Sequence, residues 1–235
     1  MTGRLFGIGV GPGDPELVTL KAVRLTRAAD VVVHLRARGR PSRSRAIMAP
    51  HLRDDQPEIG VELVMSPDRR DAEASYDRLA ATVAETLAAG HTVAVLCEGD
   101  PLLFGTFVHL LERLEPVPDV EIVPGVASPH AAAAAAGWPL ATGAASFGVL
   151  AASMGADALR QRLACLDAAA LIKVGKRLQE VRALLTELGL DADARLVVEA
   201  SSQKQQVQKL TDWPEARAPY FSVVLTRGLA EARAV

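Results

Sequence analysis

Short apolar runs alternate with stretches of helical periodicity near the start of the chain. The runs FGIGVG (residues 6–11) and ADVVVHL (residues 29–35) are typical of buried strands. Between them, Asp14 is a good N-cap, Pro15 occupies the favoured first helical position, and apolar residues up to Leu25 recur at helical spacing. Strand, helix and strand within about 30 residues form a βαβ unit, which predicts a parallel sheet.

The same alternation continues along the rest of the chain. Further strands are predicted over residues 91–96, 120–125, 146–151, 169–175, 195–201 and 220–226. Further helices are predicted over residues 71–89, 102–114, 156–166 and 178–189, and in the alanine-rich stretch that begins near residue 129. Such alternation predicts an α/β protein with helices on both faces of a sheet.

Composition narrows the classes of function. Hydrophobic residues make up 49% of the 235 positions and the net charge is −2, so we expect a sizeable core and no overall field that attracts nucleic acid or an anionic membrane. No apolar run reaches the ~20 residues of a membrane span. The first residues lack the basic and apolar regions of a secretory signal, which predicts a cytoplasmic protein. Cys97 and Cys165 are too few for a disulfide framework or a thiolate metal site.

Two glycine-rich loops follow predicted strands. GIGVGPGDPE (residues 7–16) does not fit the dinucleotide fingerprint, because Pro12 or Asp14 falls where the third glycine is required. A dinucleotide-dependent oxidoreductase is therefore disfavoured, and no Lys-Ser/Thr pair completes a P-loop. CEGDPLLFGTF (residues 97–107) follows the strand at 91–96, and ligands of open α/β sheets bind at the carboxyl ends of strands. Together the two loops predict a binding site at that edge.

A basic segment follows the second predicted strand. Residues 36–53 contain six arginines and His51 but no acidic residue. The segment is either a solvated basic loop or a surface that binds carboxylates, with which arginine forms paired hydrogen bonds. Its position after a strand places it at the ligand-binding edge and favours the second interpretation.

Five segments, in order along nearly the whole chain, carry a family resemblance. They are GVGPGDPELVTLKAVR (9–24), EGDPLLFGTF (98–107), VEIVPGVAS (120–128), KVGK (173–176) and VVEASSQKQQ (197–206). Together they resemble the motifs of the tetrapyrrole methyltransferases of cobalamin and sirohaem synthesis. SRSRAIMAPHL (42–52) resembles the branch of that family that methylates precorrin-2 at C-20. The chain departs from the family at Phe104, where members often carry Tyr, and after the second strand, where members often carry Tyr-Pro and this chain has Val33-His34-Leu35.

The resemblance implies a fold, a cofactor and an assembly. Members of the family fold as two α/β domains, the N-terminal one with a mainly parallel sheet, and bind S-adenosylmethionine in the cleft between them. We expect domains over residues 1–128 and 129–235, and a homodimer. The implied reaction is methylation of precorrin-2 at C-20 to give precorrin-3A in cobalamin biosynthesis, with S-adenosylhomocysteine as the second product.

The resemblance also assigns site residues, motif by motif. Cofactor contacts fall on Pro12, Glu98, Gly99, Asp100, Leu103, Thr106, Ala127 and Ser128 in the first three segments. In the last two segments they fall on Val174, Ala200 and Ser201, which would hold the adenine and ribose. Because a tetrapyrrole carries many carboxylates, the predicted substrate ligands are Arg36, Arg38, Arg43 and Arg45.

The implied chemistry places few demands on reactive side chains. Methyl transfer from a sulfonium is an in-line displacement, in which the enzyme holds the two reacting carbons ~3–3.5 Å apart. No covalent nucleophile and no metal is required. Glu98, Asp100, His34 and Glu199 are candidates for a base that removes a proton from the methylated carbon, and the catalytic residue is left unassigned.

Several alternatives stay open at this point. The first is a methyltransferase for cobalt-factor II at C-20, or a sister corrinoid enzyme acting on another carbon. Diphthamide synthesis and ribosomal RNA methylation use the same fold, although the near-neutral charge disfavours them. A non-catalytic binding module is the alternative from another class. Stabilisation by S-adenosylhomocysteine but not by NAD would separate the methyltransferase from a dinucleotide-binding protein.

Overall fold

The computed structural model describes residues 3–64, 69–114 and 119–227. The chain divides into two compact units, Met1–Ala127 and Ser128–Val235. Each unit is built around its own five-stranded sheet. Within the described ranges, no helix has both the length and the apolar composition that a membrane crossing requires.

The sheet of the first unit is entirely parallel. Its strands are β1 (Leu5–Gly9), β2 (Val31–Ala37), β3 (Glu58–Leu63), β4 (Val93–Cys97) and β5 (Val120–Val123), in the order β3-β2-β4-β1-β5. Every residue of β1 and β4 is buried. Both strands lie in the middle of a sheet covered on both faces, which explains why they form continuous apolar runs in the sequence.

Helices cover both faces of this sheet. They are α1 (Leu20–Ala28), α2 (Arg43–Met48), α3 (Arg69–Ala88) and α4 (Phe107–Arg113). One core cluster joins α1 and α2 to the face that carries Ile8 and Leu96. A second cluster joins α3 and α4 to the face that carries Leu5 and Val95. The α/β layering predicted from the sequence is confirmed in this unit.

The first helix begins later than the sequence predicts. Asp14 caps only a single 3₁₀ turn (Pro15–Leu17). Its Oδ1 accepts the amide of Glu16 over 2.9 Å, and the turn ends because Val18 is extended. The α-helix itself starts at Leu20 behind Thr19, whose hydroxyl accepts the amide of Ala22. The expected start at Pro15 is wrong.

Three short elements were not predicted, and one predicted helix is shortened. Strand β3, helix α2 and strand β9 (Gln206–Lys209) are each six residues or fewer. The helix expected over residues 102–114 begins at Phe107. Residues 102–106 form a turn in which Phe104 has φ = 55°, a left-handed conformation that no α-helix contains.

The second unit contains a mixed sheet. Its strands are β6 (Phe147–Ala151), β7 (Ala168–Ile172), β8 (Arg195–Val198), β9 and β10 (Ser222–Arg227), in the order β6-β7-β10-β8-β9. Strands β6, β7 and β8 share one direction, and β9 and β10 run the other way. The carboxyl ends of β6, β7 and β8 therefore meet at one edge.

Three helices complete the described part of the second unit, residues 128–227. They are α5 (Ser128–Ala136), α6 (Ala156–Leu163) and α7 (Leu178–Glu187), and single 3₁₀ turns lie at Ala152–Met154, Gly175–Arg177 and Leu210–Asp212. Helices α6 and α7 share one core cluster with the sheet. Helix α5 packs on β8, β9 and β10 through buried alanines, whose small side chains allow a close approach.

Candidate active site

The first unit has a topological switch point between β1 and β4. These adjacent strands are followed by α1 and α4, which lie on opposite faces of the sheet. The chain therefore leaves the two strands in opposite directions and opens a crevice beyond their carboxyl ends. In open α/β sheets, ligands bind in such a crevice. Both glycine-rich loops predicted as a binding site begin at this point.

The two loops are joined through their main chains. The amide of Val10 donates to the carbonyl of Cys97 over 2.9 Å. Gly11 and Gly99 then exchange a pair of hydrogen bonds of 3.2 and 2.8 Å, which forms an isolated antiparallel bridge. The loops after β1 and β4 thus form one fixed structure at the mouth of the crevice.

Three glycines form a backbone contact beneath this bridge, which we call the three-glycine contact (Gly9, Gly99 and Gly125). A Cβ added to Gly125 would lie 2.1 Å from the carbonyl oxygen of Gly99. A Cβ added to Gly9 would lie 2.5 Å from the amide nitrogen of Gly125. Gly99 also has φ = 66°, which disfavours any residue with a side chain. Only glycine allows the three loops to approach this closely.

Asp100 connects two of these loops with its carboxylate. Its Oδ1 accepts the amide of Leu102 over 2.9 Å, and its Oδ2 accepts the amide of Gly125 over 3.2 Å. Both oxygens are therefore engaged by backbone within the first unit. The sequence predicts Asp100 as a cofactor ligand, and the structure shows the part it plays in holding the loops together.

The remaining predicted residues of the second loop present apolar and polar groups at its surface. Leu103 is 37% exposed and Phe104 is 49% exposed, although both are large and hydrophobic. Glu98 is exposed at the start of the loop, and Thr106 is half-buried where the loop enters α4. Exposed apolar side chains at a switch point provide a surface that a ligand can cover.

Three further predicted residues lie at the ends of other segments. Pro12 is buried in the loop after β1, and its carbonyl oxygen accepts a hydrogen bond from Arg43. Ala127 is buried at the end of the first unit. Ser128 is the first residue of α5 and belongs to the second unit.

In the second unit, the predicted residues cluster at the edge where β6, β7 and β8 end. Val174 follows β7 and is buried, and Ala200 and Ser201 follow β8. Both loops are tied to the segment before β10: the amide of Ala218 donates to Gly175, and the amide of Glu199 donates to the carbonyl of Phe221 over 2.7 Å. The structure therefore brings these three residues to one sheet edge.

Backbone strain is confined to the matched motifs. Among the described residues, the non-glycine residues with positive φ are Phe104, Lys173, Glu199 and Ser201, with φ between 52° and 63°. All four lie in loops that carry predicted cofactor residues. Such conformations cost free energy and persist where the surrounding structure or a function demands them.

Two exposed side chains at the second edge were not predicted. Met154 follows β6 and is 41% exposed, and Tyr220 precedes β10 and is 59% exposed. The signal for them in the sequence is a large side chain just beyond, or at the start of, a predicted strand. The sequence does not assign them to the site, because the strand directions that bring β6, β7 and β10 together there cannot be derived from it.

The basic segment contains a helix as well as a loop. Arg36 and Arg38 lie at the end of β2 and are exposed, and Arg38 approaches Glu62 only to 3.9 Å. Arg43 and Arg45 lie on α2, where Arg43 bonds to the first loop as described above. Arg45 forms a two-pronged pair with Glu58, with both distances 2.9 Å.

His34 lies beside this ion pair. Its Nε2 is 3.8 Å from the Glu58 carboxylate, and its Nδ1 is buried without a hydrogen-bond partner. Burial lowers the pKa of His34, and Arg45 and Arg36 add to this effect while Glu58 opposes it. The hydrogen bond from Arg45 holds the pKa of Glu58 below its usual value. His34 is thus neutral near pH 7 and Glu58 ionised.

Comparison with known families identifies the group to which this architecture belongs. The family model described as Tetrapyrrole (Corrin/Porphyrin) Methylases matches residues 4–212. The chain belongs to this family. The resemblance noted in the sequence is thereby confirmed, as is the α/β fold that it implied.

Individual tetrapyrrole methylases resemble the chain over nearly its whole length. A precorrin-2 C(20)-methyltransferase from Sinorhizobium sp is 37% identical, with 96% of each chain covered. A cobalt-precorrin-2 C(20)-methyltransferase from Salmonella typhimurium is 32% identical, again with 96% of each covered. The crystal structure of uroporphyrin-III C-methyltransferase from Thermus thermophilus, complexed with S-adenyl homocysteine, is 26% identical with a TM-score of 0.66, and covers 98% of this chain and 100% of that one.

Proposed function

We propose that this tetrapyrrole methylase transfers a methyl group from S-adenosylmethionine to C-20 of precorrin-2, giving precorrin-3A and S-adenosylhomocysteine in cobalamin biosynthesis. The observation that carries the proposal is full-length similarity, at 37% identity, to a precorrin-2 C(20)-methyltransferase. The similarity to the relative named for the cobalt-containing substrate is lower, at 32%.

The switch point of the first unit fits one end of S-adenosylmethionine. Because both oxygens of Asp100 are occupied by backbone amides, this loop offers a ligand its main chain and the exposed side chains of Leu103 and Phe104. Main-chain groups suit the amino and carboxylate ends of an amino acid, and apolar side chains suit its carbon chain. We therefore propose contacts from the first unit through Pro12, Glu98, Gly99, Asp100, Leu103, Thr106 and Ala127.

The carboxyl edge of the second sheet fits a nucleoside. We propose that Val174, Ala200 and Ser201 hold the adenine and ribose and that Ser128 completes the set. The strained backbone at Lys173 and at Ser201 supports this assignment, because positive φ values turn the main chain where a ligand needs donors and acceptors.

Arg36 and Arg38 are the arginines that we propose for the substrate carboxylates. They stand at the carboxyl end of β2 with their side chains exposed. Arg38 forms only a long ion pair with Glu62, at 3.9 Å, and its side chain is 84% exposed. An exposed ion pair of this length contributes little to stability, so the guanidinium can leave it to form paired hydrogen bonds with an incoming carboxylate.

The reaction depends more on aligning the two reacting carbons than on reactive side chains of the enzyme. When bound, S-adenosylmethionine supplies an electrophilic methyl group on sulfur. The residues of this chain orient it, hold the nucleophilic carbon of the macrocycle ~3–3.5 Å away, and exclude water from the sulfonium charge that is lost. A base is required to remove the proton from the methylated carbon, and the candidates with titratable groups are Glu98, Asp100, His34 and Glu199. We assign this role to none of them.

We also propose that the enzyme is a cytoplasmic homodimer, as the family resemblance implies. Sedimentation velocity at micromolar concentration tests the assembly directly. A single species with twice the mass of the 24.8 kDa chain is expected. A species with the mass of one chain would contradict it.

The test of the proposed function is product analysis under anaerobic conditions. Enzyme is incubated with precorrin-2 and methyl-labelled S-adenosylmethionine, and the product is examined by mass spectrometry and NMR. One label on C-20 is expected. Parallel incubations supply cobalt-factor II or a later corrinoid in place of precorrin-2, and label found only there would favour the second candidate, a sister enzyme. The Salmonella relative is named for a cobalt-containing substrate, cobalt-precorrin-2. No label on any tetrapyrrole would refute the proposal.

A further inference from the structure

Two side chains from the basic segment hold the main chain of the first loop, which we define as residues 10–19. Nη2 of Arg43 donates to the carbonyl oxygen of Pro12 over 2.9 Å. Nε2 of His51 lies 3.0 Å from the carbonyl oxygen of Pro15. Because a carbonyl oxygen only accepts, the His51 nitrogen must carry the proton.

Other restraints on the first loop lie on either side of Pro12. It is bridged to the second loop at Gly11, and beyond that point backbone hydrogen bonds close the single turn from Asp14 to Val18. Pro12 lies between the bridge and the turn and cannot donate a backbone hydrogen bond. Its carbonyl is therefore a natural place to fix the path of the loop, and the guanidinium of Arg43 occupies it.

Helix α2, which carries Arg43, is fixed in position by three sets of contacts. The hydroxyl of Ser42 caps the helix by accepting the amide of Arg45 over 3.2 Å. Ile47 is buried in the core of the first unit at the other end of the helix. The paired hydrogen bonds from Arg45 to Glu58 attach the exposed side of α2 to the start of β3. The helix is thus held by its cap, its core residue and its ion pair.

We propose that Arg43 is a positioning residue for the cofactor loop rather than a ligand of the tetrapyrrole. The inference rests on the proposed function for its substrate, but the contact that carries it lies wholly within the first unit. Turning the guanidinium toward a substrate carboxylate would remove the bond to Pro12, a residue that we assign to the cofactor. Arg43 therefore acts on S-adenosylmethionine through the loop, and Arg36 and Arg38 act on the substrate.

The experiment separates the two roles by measuring two affinities. S-Adenosylhomocysteine is titrated into wild-type enzyme and into Arg43→Gln, Arg43→Lys and Arg36→Gln by calorimetry, and the KM for precorrin-2 is measured at saturating cofactor. For Arg43→Gln we expect a Kd for S-adenosylhomocysteine raised about tenfold, as for loss of one charge-assisted hydrogen bond, with KM within twofold. Arg43→Lys keeps a donor and should recover part of the affinity. Arg36→Gln should show the reverse pattern.

Arg182→Gln is the matched control. Arg182 donates to the carbonyl oxygen of Trp213 over 2.7 Å, so this variant loses the same kind of bond in the second unit. It should lower the melting temperature without changing the Kd for S-adenosylhomocysteine. If Arg43→Gln behaved like this control, the bond to Pro12 would be merely structural and the proposal would be wrong.

Two other outcomes are decisive. A raised KM for precorrin-2 in Arg43→Gln, with an unchanged Kd for S-adenosylhomocysteine, would make Arg43 a substrate ligand and overturn the proposal. If Arg43→Gln does not fold, an unaltered Kd for S-adenosylhomocysteine in the double variant Arg43→Lys, His51→Leu would overturn it as well, because this variant loses the His51 bond and weakens the Arg43 bond to the first loop. If wild type binds S-adenosylhomocysteine and the variant loses affinity while no tetrapyrrole is methylated, the proposed function fails and the positioning role stands.

Discussion

At the edge of the first sheet, three loops approach one another because three of their residues have no side chain. At the corresponding edge of the second sheet, the loops turn sharply through Lys173, Glu199 and Ser201, which keep their side chains and accept positive φ values. At the first edge, glycine allows the backbone segments to approach closely. The second edge obtains its shape from strained residues, of which Glu199 is tied by its amide to Phe221 in the segment before β10.

The difference teaches what each edge contributes. A backbone contact as tight as the three-glycine contact fixes where loops lie, but it offers a ligand only main-chain groups. A strained residue costs about 1–3 kcal/mol, yet it presents a side chain in a direction that glycine cannot provide. The first edge is therefore suited to holding a flexible chain through its polar ends, and the second to recognising the shape of a ring.

The largest expected effect breaks the first edge. In Gly125→Ala the new Cβ would meet the Gly99 carbonyl oxygen at 2.1 Å, so the loops must separate. We expect a loss of about 3 kcal/mol in the free energy of unfolding, at the upper end for overpacking, measured by urea denaturation. Gly175→Ala is the control at the second edge, because its Cβ would meet nothing closer than 3.4 Å. Equal losses in both variants would contradict the comparison.

Asp100 tests whether the first edge binds or merely holds its loops. Asp100→Ala removes acceptors from the amides of Leu102 and Gly125. We expect the Kd for S-adenosylhomocysteine to rise about tenfold or more, with kcat at saturating cofactor within severalfold. Asp100→Asn keeps one acceptor oxygen and should fall between. A loss of kcat by many orders with normal affinity would instead make Asp100 indispensable to the chemistry.

A smaller effect of opposite sign is expected at the second edge. Lys173→Gly removes the strain of a left-handed residue, but it also increases the conformational entropy of the unfolded chain. The free energy of unfolding should therefore rise by only about 0.5 kcal/mol, measured by thermal unfolding. Affinity for S-adenosylhomocysteine should not improve with it. Destabilisation by more than ~1 kcal/mol would show that strain is not the dominant property of this position.

The smallest expected effect is a difference between the two units in how their stability depends on pH. The pKa of His34 is lowered in the folded state, so the unfolded chain binds more protons and the first unit loses stability as pH falls through the ordinary histidine range. Hydrogen exchange should show the amides of β2 losing protection between about pH 7 and 5, more than those of β7. His34→Gln should remove this difference. An unchanged pH dependence in that variant would exclude His34 as its source.

The sequence predicts the interior of this fold better than its margins. Central strands such as β1 and β4 are continuous apolar runs because both of their faces are buried. The unpredicted strands β3 and β9 are edge strands, and the sequence QVQK of β9 has no apolar pattern to detect. Edge strands need only one neighbour, so their side chains are free to be polar.

Predictions for the site were limited in the same way. Motifs identify the loops that follow strands, but they do not reveal that Asp100 reaches Gly125, a residue 25 positions away. The bond from Arg43 to Pro12 spans 31 positions. Such contacts depend on which strands become neighbours. Strand order is set by packing of the whole unit and leaves no local trace in the sequence.

The position of β10 has a consequence for synthesis of the chain. This strand is the last in the described sequence and the central one of its sheet, between β7 and β8. On the ribosome, the first sheet can be completed once β5 has emerged, about 100 residues before β10. Until then the pairs β6–β7 and β8–β9 each expose an unpaired edge. A nascent chain stalled before Ser222 would therefore carry a complete first sheet and a second unit with unpaired strand edges, which favour aggregation.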